Sequence, residues 1–237
     1  MGKITVKHYL NTNLKPYIIN GEKYFTIYAL VTANRQNTKV KSKVFNEYYT
    51  ENDFIEITDE NNKEDFITLQ NEAKTIENIA NELINKVEIF DTALFSAIYN
   101  YFQEIFIYDL DIQVYKEGNT VVDLYDKNKN KLGIAIDQFF IKEFSMKESR
   151  AKGMSLFTWF SPLGQTELEK FLFESNCKFD IKEAKLILND IVFEKSFEVL
   201  SWILKGSQKY KILLDKYDHL FESVYKSASY EKIGIEK

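Results

Sequence analysis

Ile4-Thr5-Val6-Lys7-His8-Tyr9-Leu10, Tyr17-Ile18-Ile19-Asn20-Gly21 and Thr38-Lys39-Val40-Lys41-Ser42-Lys43-Val44 are the stretches that decide how this chain begins to fold. The first alternates apolar and polar side chains, the two-residue period of a half-buried strand. Asn20-Gly21 is a strong hairpin signal, because both residues accept the positive φ of a type I′ turn. It stands between residues 17–19 and the β-rich run 24–32. A polar turn, Asn34-Arg35-Gln36-Asn37, leads into the third stretch. There, alternation puts Lys39, Lys41 and Lys43 on one face and Val40 and Val44 on the other. Such a row spaces its cations about 7 Å apart. Residues 1–48 therefore read as a small three-stranded antiparallel β-module.

Outward from that module the period changes. Residues 49–61 are rich in acids and read as a linker. From about Asn62, Phe66, Leu69, Ala73, Ile76, Ile79, Ala80, Leu83, Ile84 and Val87 recur at three- and four-residue steps, an amphipathic helix. Residues 92–108 are helical and apolar nearly all round, which suits a core position. Residues 111–136 return to short strands separated by Gly118-Asn119 and by a polar turn at 127–130, a β-meander. The remainder is mostly helical: a turn at Ser161-Pro162, a short helix over 165–174, a long one from the Asp180 cap to about 205, and a last one over 208–226. The expected class is α+β: a small N-terminal three-stranded sheet, then a mixed, mainly helical domain over 62–228, with a loose tail at 229–237.

Composition bounds the chemistry. Over 237 residues the chain is 45% hydrophobic and 15% aromatic, enough apolar surface to exclude wholesale disorder. One cysteine, Cys177, excludes an internal disulfide and a cysteine-rich zinc cage, and His8 and His219 alone cannot build a histidine metal cluster. No apolar run reaches the roughly 18 residues of a membrane-spanning helix, and a cytoplasmic location is expected. The net charge of −5 hides an asymmetry. Residues 1–45 carry eight lysines and arginines against one acid, Glu22, whereas residues 46–90 carry twelve acids against three lysines. A basic head of this kind suits a polyanion, and equally a sheet whose edge lysines discourage aggregation.

The order of strand, Asn-Gly hairpin, aromatic strand, polar turn and basic strand carries a resemblance. His8-Tyr9-Leu10-Asn11, Asn20-Gly21, Tyr24-Phe25-Thr26-Ile27-Tyr28 and residues 34–42 resemble the N-terminal arm-type DNA-binding domain of tyrosine recombinases from Bacteroidetes-like mobile elements. The resemblance covers residues 3–45, about a fifth of the chain. It implies a sheet face inserted into a DNA groove. Phosphate contacts would then come from Lys23, Arg35, Lys39, Lys41 and Lys43. Asn34, Gln36 and Asn37 carry amides suited to base edges. The rest of the chain departs from that family. Its catalysis needs at least two arginines fixed around the reacting phosphate, and this chain has two in all, Arg35 and Arg150, one of them in the arm itself. Tyr225 and Tyr230 lack catalytic company, so the chain is not an active recombinase.

No catalytic residue, cofactor or metal site is assigned. Asp109 with Asp111, Asp123 with Asp126, and Asp180-Ile181-Lys182 are acid combinations that arise often by chance in so acidic a chain. Phosphate-binding glycine loops are absent. Phe139, Phe140 and Phe144, with Leu156, Phe157, Trp159 and Phe160, concentrate aromatics in mid-chain, either as core or as a patch for a protein partner; the loop 147–153 beside it adds Lys147, Arg150 and Lys152. The expected function is that of a non-enzymatic DNA-binding accessory protein of a phage or mobile element. The rivals are a phage structural or host-interaction protein working by protein contact, and a metal-dependent nuclease. No membrane partner is expected.

Overall fold

The computed structural model describes residues 3–103, 123–125, 131–135 and 155–166, together with positions 182, 193, 212, 213 and 215–218. The protein is α+β, as the alternation of periods implied. Two compact units divide it, one made of Met1–Tyr99 with Phe160–Pro162, the other of Asn100–Trp159 with Leu163–Lys237.

In the first unit, β1 (Thr5–Leu10), β4 (Ile27–Ala33) and β5 (Gln36–Lys41) form an antiparallel sheet with β4 in the middle. Ile27, Ala29, Val31 and Ala33 of β4 are buried while Tyr28, Leu30 and Thr32 between them are only half-buried. The alternation gives the sheet one core face and one outward face. Asn34 and Arg35 make the two-residue turn from β4 to β5, both with positive φ (49° and 64°). Gln36 and Asn37, read from the sequence as turn, therefore belong to β5 and pair with Ala33 and Thr32.

The Asn20-Gly21 turn, with φ of 51° and 84°, closes a separate hairpin of β2 (Tyr17–Ile19) and β3 (Glu22–Tyr24). The run 24–32 is thus split. After Tyr24, Phe25 pairs with Tyr49 through reciprocal backbone bonds of 2.8 Å, and the chain re-enters the sheet at Ile27.

The acidic segment 49–61 is not an extended linker. Glu51–Thr58 is a helix, α1, closed at its start by a reciprocal capping box: the Asp53 N–H donates to Thr50 Oγ1 (3.1 Å) and the Thr50 N–H to the Asp53 carboxylate (2.8 Å). Its Ile57 is buried with Ile27, Phe45 and Leu69, so α1 is part of the sheet's own core. The long helix α2 (Lys63–Val87) follows an Asn62 N-cap and buries Leu69, Ile76, Ile79, Ala80, Leu83 and Ile84. Full burial of each large aliphatic side chain is worth about 1.5–3 kcal/mol. Helix α3 (Thr92–Tyr101) buries Leu94, Phe95, Ala97, Ile98 and Tyr99, the core position expected of it. The first compact unit therefore continues well beyond residue 48.

In the second unit, β6 (Asp123–Tyr125) and β7 (Lys131–Ala135) pair antiparallel, two strands of the expected meander. The short helix α4 (Leu156–Trp159) buries Leu156, Phe157 and Trp159, and the Phe157 N–H donates to the Phe102 carbonyl at 2.8 Å. Residues 162–166 are helical. A Cβ on Gly164 would meet the Thr158 and Trp159 carbonyls at 2.5 and 2.4 Å, which ties this close turn to glycine. The expected strand at 112–115, the helices beyond 166 and the tail at 229–237 lie outside the described residues.

Candidate nucleic-acid interface

Strand register fixes what the outward face of the sheet carries. Three cross-strand rows run β1–β4–β5: Thr5–Thr32–Asn37, Lys7–Leu30–Lys39 and Tyr9–Tyr28–Lys41. Lys7, Lys39 and Lys41 share this face with no acidic residue among the nine positions. Neighbouring strands lie about 4.8 Å apart, so the outer strands of each row are separated by about 10 Å. The Lys39 ammonium lies 5.8 Å from the centroid of the Tyr9 ring on β1, so its side chain reaches across the middle strand. Tyr9 and Tyr28 pack with ring centroids 6.3 Å apart. The Tyr9 hydroxyl is enclosed without a hydrogen-bond partner among the described residues. Asn37 Oδ1 accepts from the Thr32 hydroxyl at 2.7 Å, which holds the amide in one orientation.

The opposite face is fastened by one buried carboxylate. Glu72 projects from α2 with its side chain fully enclosed. It accepts from His8 Nε2 (2.9 Å) and the Ser42 hydroxyl (2.6 Å) on one oxygen, and from the Lys43 and Val44 N–H groups (2.7 and 3.2 Å) on the other. Burial alone pushes this carboxyl up, but the hydrogen bonds from His8, Ser42 and Lys43, together with the attraction of His8, outweigh it and hold the group below the usual carboxylate range. Strand β5 ends at Lys41, and Glu72 holds the N–H groups of the two residues after Ser42. The Lys43 ammonium lies 5.9 Å from the ring centroid of Tyr99 on α3, while the Tyr99 hydroxyl donates to the Lys41 carbonyl at 3.0 Å. The sequence put Lys43 in one row with Lys39 and Lys41; the structure ends that row at Lys41.

The remaining sequence candidates are dispersed. Asn34, Arg35 and Gln36 are exposed at the β4–β5 end of the sheet, and Lys23 is exposed on the β2–β3 hairpin, across from Ile18. The chain enters β4 at Ile27 from the hairpin and leaves it at Ala33 into the turn, so the two groups occupy opposite ends of β4. His8–Glu72 and Lys74–Glu77 are ion pairs of the described residues. Among the described residues none of Lys7, Lys23, Arg35, Lys39, Lys41 or Lys43 forms an ion pair with a carboxylate of the acidic stretch that follows.

Two features of this face escaped the sequence reading. Lys7 joins the lysines of β5 because β4 is the central strand, and alternation within β1 already set Lys7 apart from His8. Tyr28 and Leu30 form the middle of the face for the same reason. Of the mid-chain apolar cluster, Leu156, Phe157, Trp159 and Phe160 are buried and offer no surface to a partner; Phe139, Phe140, Phe144 and the loop 147–153 lie outside the described residues. So do Asp109, Asp111, Asp126, Cys177, Asp180 and His219. Among the described residues no three of His, Cys, Asp and Glu gather as a metal-ligand set, and no helix is long and apolar enough to cross a membrane. No protein-family model, curated protein or solved structure matches the chain.

Proposed function

We propose that this chain is a non-enzymatic DNA-binding protein, an accessory factor of a phage or mobile element, which docks the outward face of its N-terminal sheet on the nucleic acid. The observation that carries this reading is the group Lys7, Lys39 and Lys41 on one face, with no acid among its nine positions and, among the described residues, no ion pair to any of the three. Three strands make a face about 10 Å across, wide enough for a nucleic-acid backbone to run along its lysines. The resemblance of residues 3–45 to the arm-type domain points the same way.

Arg35 adds a second support. A two-residue turn with both φ values positive favours Asn-Gly, and a bulky side chain in that conformation costs about 1 kcal/mol. Retaining arginine there puts an exposed guanidinium at the tip of the β-ribbon, where phosphate contact would repay the strain. Gel-shift titration of the full chain at two salt concentrations tests the reading. A shift that weakens steeply with salt is expected, and no shift at low salt would reject it.

A second reading, protein contact, draws on the β2–β3 hairpin, where Tyr17 and Ile18 are 57% and 62% exposed and Tyr17 packs on exposed Tyr48 with centroids 5.4 Å apart. Replacing Ile18 with Lys separates the two: DNA binding should survive it, and loss of a protein partner with DNA binding intact would favour the second reading.

A further inference from the structure

The outward face distributes its chemistry unevenly. Its middle strand presents Tyr28 and Leu30, an aromatic and an aliphatic side chain, ahead of Thr32. Cations come from both edge strands, Lys7 from β1 and Lys41 from β5, and Lys39 crosses between them. We infer that the ligand of this face is an unpaired DNA strand, whose bases stack on Tyr28 and lie along Leu30 while its phosphates meet Lys7, Lys39 and Lys41. This rests on the proposal that the face binds DNA, and specifies which form.

A groove floor presents base edges, donors and acceptors that need partners. Pressing Tyr28 and Leu30 onto that floor would strip water from those groups and return no hydrogen bond. The flat side of an unpaired base asks for none. It is apolar and polarisable, stacks on an aromatic ring whatever its identity, and trails a phosphate that a flanking lysine can neutralise. Tyr28 is the ring suited to this task. Tyr9 has an ammonium over its ring and an enclosed hydroxyl, so it buttresses Tyr28 from the side at 6.3 Å. Thr32 and the amide of Asn37, at the turn end of the same face, supply hydrogen bonds to a base edge that has already left its partner.

The test uses the full chain and a fluorescein-labelled single strand of about 16 nucleotides, the upper site size of a small stacking module, beside the same sequence as a duplex. Fluorescence anisotropy should show the single strand bound at least about ten-fold more tightly. Tyr28→Leu should weaken single-strand binding by roughly ten-fold, the usual effect of removing one stacking ring, while Tyr28→Phe stays near wild type. Equal or tighter duplex binding would overturn the inference and leave the proposed function standing. Failure of both ligands at low salt would overturn both. Circular-dichroism melting of the two variants checks the fold. If Tyr28→Leu unfolds, the wild-type preference and the Phe variant decide the matter.

Discussion

Replacing Glu72 with Gln asks the most of the scaffold behind the lysine face. The substitution keeps the shape of the side chain and removes its charge. Four donors converge on that carboxylate, from His8, Ser42, Lys43 and Val44, and the side chain is fully enclosed, so water does not screen them. Glutamine can accept on one oxygen only and turns an NH2 group toward donors on the other side. Hydrogen bonds to a charged group contribute about 1.5–3 kcal/mol each, and breaking a buried pair costs about 3–5 kcal/mol. Allowing for relaxation, the expected loss at pH 7 is about 3 kcal/mol, or roughly 10 °C in melting temperature. The pH dependence has a definite sign. The folded carboxyl sits below its ordinary value of 4.5, so its contribution is complete above that value and disappears as the pH falls through the lower, folded value. Thermal melts of both proteins from pH 7 downward should therefore converge in acid. A variant within about 0.5 kcal/mol of wild type at pH 7, the range of an ordinary surface change, or a gap that persists unchanged in acid, would refute this role for Glu72.

Other perturbations separate face from scaffold. Lys7→Ala should reduce the slope of log affinity against log salt by about 0.7 for a single strand or 0.9 for a duplex and leave the melting temperature nearly unchanged; an unchanged slope would remove Lys7 from the interface. Arg35→Gly should stabilise the protein by about 1 kcal/mol in urea unfolding, because glycine relieves the positive φ, while weakening nucleic-acid binding. Thr50→Ala should cost about 1 kcal/mol through the lost α1 cap, read from the urea midpoint, with binding unaltered.

Much of this architecture was legible in local patterns, and what was not depended on pairing between distant strands. Asn62 and Val87 bracket α2 almost where the three- and four-residue spacing put them, because a long amphipathic stripe is overdetermined. The same stripe holds a further sign: Glu72 stands between Leu69 and Ile76, three residues from one and four from the other, a charge among core positions that demands a buried partner. The helix α1 was hidden by its acids, although Thr50 and Asp53 spell a capping box. The lysine row was half legible. Alternation put Lys39 and Lys41 together, but no local pattern says that β4 lies between β1 and β5, and that alone brings Lys7, Tyr28 and Leu30 to the same face. Lys43 lies past the end of β5, where its N–H bonds a carboxylate 29 residues away in sequence, a contact no local pattern announces.

The most direct measurement is a lysine footprint of the full chain, with acetylation by a water-soluble reagent in the presence and absence of DNA and peptide mass spectrometry as the readout. Lys7, Lys39 and Lys41 should be protected together when DNA is bound, with Lys63 and Lys74 on α2 acetylated as fast as before. Protection of the α2 lysines with Lys7, Lys39 and Lys41 still reactive would contradict the assignment of the outward sheet face as the binding surface.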